Sequence, residues 1–119
     1  ELLTPVETST DLARLAEAGN LAAQHILTEA GALLGTHIAN LINLLDPEIV
    51  ILSGEGTRFG EWFFRAVREA VALHVMPGLV GVAQIHIDEW GDDAWALGAA
   101  SLVLGELFES PVYREESTV

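Results

Sequence analysis

Cysteine is missing altogether from these 119 residues, so the chain can build no disulfide, no thiolate nucleophile and no cysteine-bound zinc. Basic residues are scarce: 5 Lys plus Arg stand against 18 Asp plus Glu, a formal net charge of −13. So acidic a chain repels phosphate backbones, which argues against direct nucleic-acid binding by these residues. Long apolar runs are also absent. The longest uncharged stretch, Ala70 to Ile87, is broken by Pro77-Gly78 and contains His74, Gln84 and His86, which makes it a poor membrane span. No secretory leader or lipidation motif is visible, and the cytoplasm is the expected location. The four histidines, His25, His37, His74 and His86, include no pair three or four residues apart, so no helical pair of metal ligands forms and no metal site is expected. Strong strand signals number only two, too few for a sheet covered on both faces. Half of the residues are apolar, mean hydropathy is +0.37, and the first residue is Glu1 rather than Met. The expectation is one partial domain over 1–119, a piece of a larger domain with surfaces normally hidden.

What is present centres on Leu44 to Gly60. Ile49-Val50-Ile51-Leu52 reads as a strand covered on both faces, entered through Asp46-Pro47 and leaving into the loop Ser53-Gly54-Glu55-Gly56-Thr57. Helical patterns on either side of it imply a largely parallel sheet, in which ligands dock beyond the carboxyl ends of strands. Residues 1–9 and 112–119 are expected to be loosely ordered. Ser9 or Thr10 can cap a short helix, Asp11–Ala18, and Gly19 and Asn20 suit the break and the next cap. From Leu21 to Leu45 apolar residues return every three or four positions. Gly31 and Gly35, four apart on that helix, read as a face for close packing rather than as breaks. A third helix opens after Gly60 and closes at Pro77-Gly78, with Trp62, Phe63, Ala66, Val67, Ala70, Val71 and His74 on its apolar stripe. Ala83 to Asp88 alternates as a second strand. Asp92 or Asp93 caps a last helix from Ala94 to about Phe108, whose Gly98-Ala99-Ala100 step should let it lie tightly against the sheet.

Two stretches then carry a resemblance. Leu34 to Gly56, with Asn40-x-x-Asn43 ahead of Asp46-Pro47, and Gly91 to Pro111, with its Gly-Asp-x-Ala-x-x-Leu-Gly-Ala-Ala run, together resemble the carboxyl-terminal part of the ROK family of sugar kinases and sugar-responsive repressors. The resemblance spans roughly residues 12–111. It implies an α/β fold, the C-terminal portion of an actin-like ATPase (ribonuclease H-like) lobe, helix-rich with about two strands. The family's phosphate loop, catalytic aspartate, zinc motif and DNA-binding winged helix all lie upstream of the matched part, so no catalytic, metal or cofactor role carries over. Any sugar effector or DNA would be reached only through upstream regions, and self-association is expected.

One family motif does fall inside the match, the adenosine loop. Where the kinases have consecutive glycines, this chain reads Ser53-Gly54-Glu55, then Gly56. A carboxylate beside an anionic nucleotide is repulsive. Together with the terminal Leu-Phe-Glu-Ser-Pro, this looks more like the xylose-repressor-like branch. The loop has two readings, a degenerate nucleotide or effector loop and an ordinary strand-to-helix turn with glycines in left-handed geometry. Asn40 and Asn43 are expected to hydrogen-bond the Asp46-Pro47 turn. His37 and His74 read as core or interface groups, and Trp62, Phe63 and Trp95 likewise. The acidic run Asp88-Glu89 and Asp92-Asp93 serves helix capping and solvation rather than cation binding.

Overall fold

The computed structural model describes residues 6–89, 91 and 93–108, which fall into two compact units, one through Glu89 and one from Gly91 onward. The first unit runs α1 (Ser9–Glu17), α2 (Leu21–Leu45), β1 (Ile49–Ser53), a 3-10 turn (Glu55–Phe59), α3 (Glu61–His74), a second 3-10 turn (Pro77–Leu79) and β2 (Gln84–Asp88). The second unit holds α4 (Ala94–Phe108), largely apolar with Glu106 as its one charged residue. The expected cap at Asp92 and the expected loose segments 1–5 and 112–119 lie outside the described residues.

Local chemistry sets the element boundaries. Thr8, not Ser9 or Thr10, caps α1: its hydroxyl accepts from the Asp11 amide at 3.2 Å, and the Asp11 carboxylate accepts from the Thr8 amide at 3.2 Å. This reciprocal pair is a capping box with Asp in place of the usual Glu, so the helix begins two residues earlier than expected. Asn20 caps α2 by accepting from the Ala23 amide at 3.0 Å, and Gly19 sits at φ +91° between the two helices. At the far end of α2, Asp46 adopts left-handed geometry, φ 46° and ψ 52°, and its amide closes on the Ile42 carbonyl at 2.9 Å.

The core lies where α2 meets α3. Leu27, Ile38, Ala39 and Ile42 from one helix pack with Phe63, Phe64 and Val67 from the other, and Ala16 of α1 joins them. Gly31 and Gly35 make this approach possible. A Cβ on Gly31 would lie 2.3 Å from the Phe63 carbonyl oxygen, and one on Gly35 would lie 2.4 Å from that of Val67. The two backbones touch there, as the four-residue glycine spacing predicts.

β1 and β2 pair in parallel with Ile49 opposite Gln84 and Ser53 opposite Asp88, and α3 is the crossover between them. Val50, Leu52 and Ile87 turn onto the helical core. Ile49 and Ile51, on the other face, are exposed within this unit. Within this unit α2 and α3 both pack on the side of Val50 and Leu52. No described helix is long and apolar enough to cross a membrane.

Candidate functional site at the end of strand β1

Beyond the carboxyl end of β1 the chain turns sharply. Ser53, Gly54 and Glu55 are exposed, Gly56 is half-buried and Thr57 is buried. Gly54 has φ +94° and ψ −168°, a conformation that residues with a Cβ rarely adopt. Gly54 is therefore required by the backbone itself, whatever the loop binds. Its carbonyl accepts twice from Thr57, from the hydroxyl at 2.7 Å and from the amide at 3.1 Å. Burying Thr57 with both polar groups satisfied locks the 3-10 turn in one shape. Gly60, at φ +77°, then feeds the chain into α3, and a Cβ there would come 3.4 Å from that of Ala13, so α1 packs directly on this junction.

That packing creates a cleft of about 440 Å³. One wall is the amino-terminal end of α1, residues Glu7 to Thr10; the other is Glu55, Gly56, Arg58 and Phe59. Each wall is braced by its own element. Thr8 and Asp11 hold the first, and Asp11 is further paired with Arg14 at 3.0 Å. The Thr8 hydroxyl bonded to Asp11 holds that carboxyl below its ordinary pKa, with the Thr8 and Glu7 amides and Arg14 adding to the effect. On the second wall the Phe59 ring rests against Phe63, with centroids 5.0 Å apart. Glu7 and Glu55 bring two carboxylates to the lining and Arg58 one guanidinium.

Residues Ser53, Gly54, Glu55 and Gly56 thus sit together at one strand end, and the last two line the cleft. Sequence reasoning missed the opposite wall by treating residues 1–9 as an arm. The Thr8-x-x-Asp11 spacing was the available signal. Asn43 does not bond the Asp46-Pro47 turn. Its side chain donates to the His74 carbonyl at 3.0 Å and accepts from the Met76 amide at 2.8 Å, closing the end of α3. This is possible because α2 and α3 lie close enough for an asparagine on one to reach the last turn of the other. Asn40 is exposed. His37 and His74 are also exposed rather than core groups, and His25 lies 3.6 Å from Glu29. Trp62 is half-buried beneath the Arg65 guanidinium, 4.5 Å from the ring centroid, while Phe63 is core as expected. Among the described residues no group of three or more His, Asp or Glu side chains is placed to hold a metal ion.

Comparison with known proteins supplies the wider setting. A glucokinase of Thermotoga maritima is 39% identical over 70 residues, 59% of this chain and 22% of its own length. A xylose repressor of Caldicellulosiruptor bescii is 26% identical over 106 residues, 89% of this chain and 27% of its own length. A transcriptional regulator of Mycobacterium tuberculosis is 30% identical over 104 residues, 87% of this chain and 23% of its own length. The chain therefore spans about a quarter of the length of these relatives. Among solved structures, a proposed sugar kinase from Cytophaga hutchinsonii superposes with a TM-score of 0.71 at 23% identity, over 87% of this chain and 35% of that one. A ROK family transcriptional regulator homologous to E. coli MLC superposes with a TM-score of 0.68 at 20% identity, over 82% of this chain and 24% of that one. These two likenesses establish the fold, a helix-rich α/β portion of an actin-like ATPase lobe. The ROK family model matches residues 6–106, nearly the whole chain, and the chain belongs to the ROK family.

Proposed function

We propose that this chain is the carboxyl-terminal part of the effector-sensing and self-association region of a sugar-responsive ROK transcriptional repressor, and that it performs no catalysis itself. The observation that carries this reading is Glu55. It is exposed and lines the β1 cleft, at a position where the kinases that the loop resembles carry a further glycine. Glu7 on the opposite wall adds a second carboxylate. Burying phosphate charge between them is unfavourable by Coulomb's law. The near-complete matches to a xylose repressor and a mycobacterial regulator support the same branch.

On this reading the segment uses no cofactor, and sugar and operator DNA are engaged through parts of the protein outside this chain, in the cytoplasm. Effector binding biases two arrangements of a two-lobed fold, and the dimer-related DNA-binding heads change spacing as a result. The apolar surface left open on α2 and on the strand pair supports a role in packing and self-association. A gel-shift and effector-release assay on the whole protein tests this. Operator binding released by a sugar is the expected result, and sugar phosphorylation without operator binding would overturn it.

A second reading has its own support in the 39% identity to the T. maritima glucokinase. It makes the protein an ATP-dependent sugar kinase. Calorimetric titration with ATP separates the two, since the kinase reading requires binding and the repressor reading does not.

A further inference from the structure

We propose that the outer face of α3 is where two copies of this chain meet, paired as antiparallel helices about a two-fold axis at the level of Val67. This face deepens the reading above, since it rests on the self-association named there. Composition, charge and spacing on α3 carry it.

α3 buries Phe63, Phe64, Ala66, Val67 and Ala70 and turns its other side outward. The outward side runs from Glu61 and Trp62 through Arg65, Arg68 and Glu69 to Leu73, which is 77% exposed. Tryptophan and arginine are the side chains most enriched among those that dominate protein contacts. Arg65 already lies over the Trp62 ring, 4.5 Å from its centroid, which lowers the ordering cost of using both against a partner.

Charge selects the partner. Across the chain 18 acidic residues stand against 5 basic ones, so two copies repel each other wherever carboxylates meet. On α3 the signs balance: Glu61 pairs with Arg68, and Glu69 with Arg65 at 3.8 Å. Every residue of this helix is described, and it holds no other Asp, Glu, Lys or Arg. A neutral face that carries both signs can meet a copy of itself without net repulsion, which an isologous contact requires. A strongly acidic or strongly basic partner would leave one sign on this face unanswered.

Spacing fixes the register. Arg65 and Glu69 are four residues apart, about 6 Å along the axis. A two-fold midway between them sets each Arg65 against the partner's Glu69, which gives two ion pairs by symmetry. Trp62 then falls opposite the partner's Ala72, whose small exposed side chain leaves room for the ring. The exposed apolar side of α2, with no Asp, Glu, Lys or Arg from Ala30 to Leu45, offers no charge to set a register. It suits packing inside a larger lobe.

Sedimentation equilibrium on the whole protein tests this in the parent, in Arg65→Glu, in Glu69→Arg and in the double reversal. Each single reversal brings like charges together twice per dimer. The expected result is a dimer dissociation constant raised tenfold or more in each single variant and restored to within threefold of the parent in the double one. Ala72→Gln alters no charge and should also weaken the dimer tenfold or more, by crowding the partner's Trp62. All four positions are exposed or half-buried, so circular dichroism should show the helices of each variant intact. A dimer indifferent to these changes would put the contact elsewhere and overturn the proposed face, leaving self-association standing. Weakening in the single reversals with no recovery in the double one would overturn it as well. A parent that stays monomeric at every concentration would sink the face and self-association together, while operator binding in the gel shift reports separately on the repressor reading.

Discussion

Replacing Gly35 by Ala puts the α2–α3 contact to a test in which even the sign is informative. Glycine inside a helix is about 1 kcal/mol worse than alanine, so propensity alone makes Gly35→Ala stabilising. The geometry opposes it. The new Cβ would sit 2.4 Å from the Val67 carbonyl oxygen, 2.7 Å from the Ala70 Cβ and 3.0 Å from the Val67 Cα. Two of these three are backbone atoms, which cannot rotate away, so the helices must separate by about 1 Å to restore ordinary contact. Separation loosens Leu27, Ile42 and Val67, the largest fully buried side chains. Overpacking of this kind costs about 1–3 kcal/mol, and backbone clashes belong at the upper end. Subtracting the propensity gain leaves a net loss of about 2 kcal/mol, or a melting temperature lower by roughly 10 °C. Urea unfolding followed by circular dichroism measures it, with Gly35→Ser expected to lose more. A variant more stable than the parent by about 1 kcal/mol would mean the helices do not touch at Gly35, and the reasoning would fail.

Further expectations follow from single observations. Asp46 is the one described non-glycine residue with positive φ, so Asp46→Gly should raise stability by up to about 1 kcal/mol in thermal melts, with Asp46→Asn raising it less. Asn43→Ala removes both side-chain bonds to the end of α3 and should cost about 1–2 kcal/mol, with faster amide hydrogen exchange at Met76 as its local signature. The Asp11 carboxyl has a lower pKa folded than unfolded. Its contribution is therefore present above the unfolded value near 4 and is lost as the pH falls through the folded value. In Thr8→Ala the Asp11 titration midpoint should move up toward the ordinary carboxylate value, as read by carbon-detected NMR; an unmoved midpoint would refute the capping box as its main cause.

Much of this architecture is written locally. The 25 residues of α2 carry apolar side chains at helical spacing, Asn20 supplies the cap and Pro47 the stop, so its limits emerge from the sequence unaided. The strands follow from β-branched runs between turns, and Gly31 and Gly35 announce a close approach through the conformational cost they would otherwise impose. What stayed hidden depends on tertiary placement. Asn43 lies three residues from the Asp46-Pro47 turn and thirty-one from His74, and only the crossing of α2 with α3 makes the distant partner the near one. The cleft is hidden for the same reason. Its two walls, Glu7 to Thr10 and Glu55 to Phe59, are far apart in the chain, and the packing of Ala13 against Gly60 joins them. Periodicity assigns elements; it does not say which ends meet.

The distribution of apolar surface bears on why a chain of this composition should exist. α2 buries one stripe against α3, yet Ile26, Leu33, Leu41 and Leu44 recur at helical spacing along an exposed side. The strand pair is likewise covered on the Val50 and Leu52 face and open at Ile49 and Ile51. A parallel pair with one bare face is not a self-sufficient sheet, because parallel sheets persist when helices cover both sides. Neither surface carries the charge that keeps an exposed helix or strand soluble: Glu29 is the one acidic residue in α2, and the −13 charge resides elsewhere. A polar cleft with braced walls thus lies at one end of β1, beside apolar faces that the helices α2 and α3 leave uncovered.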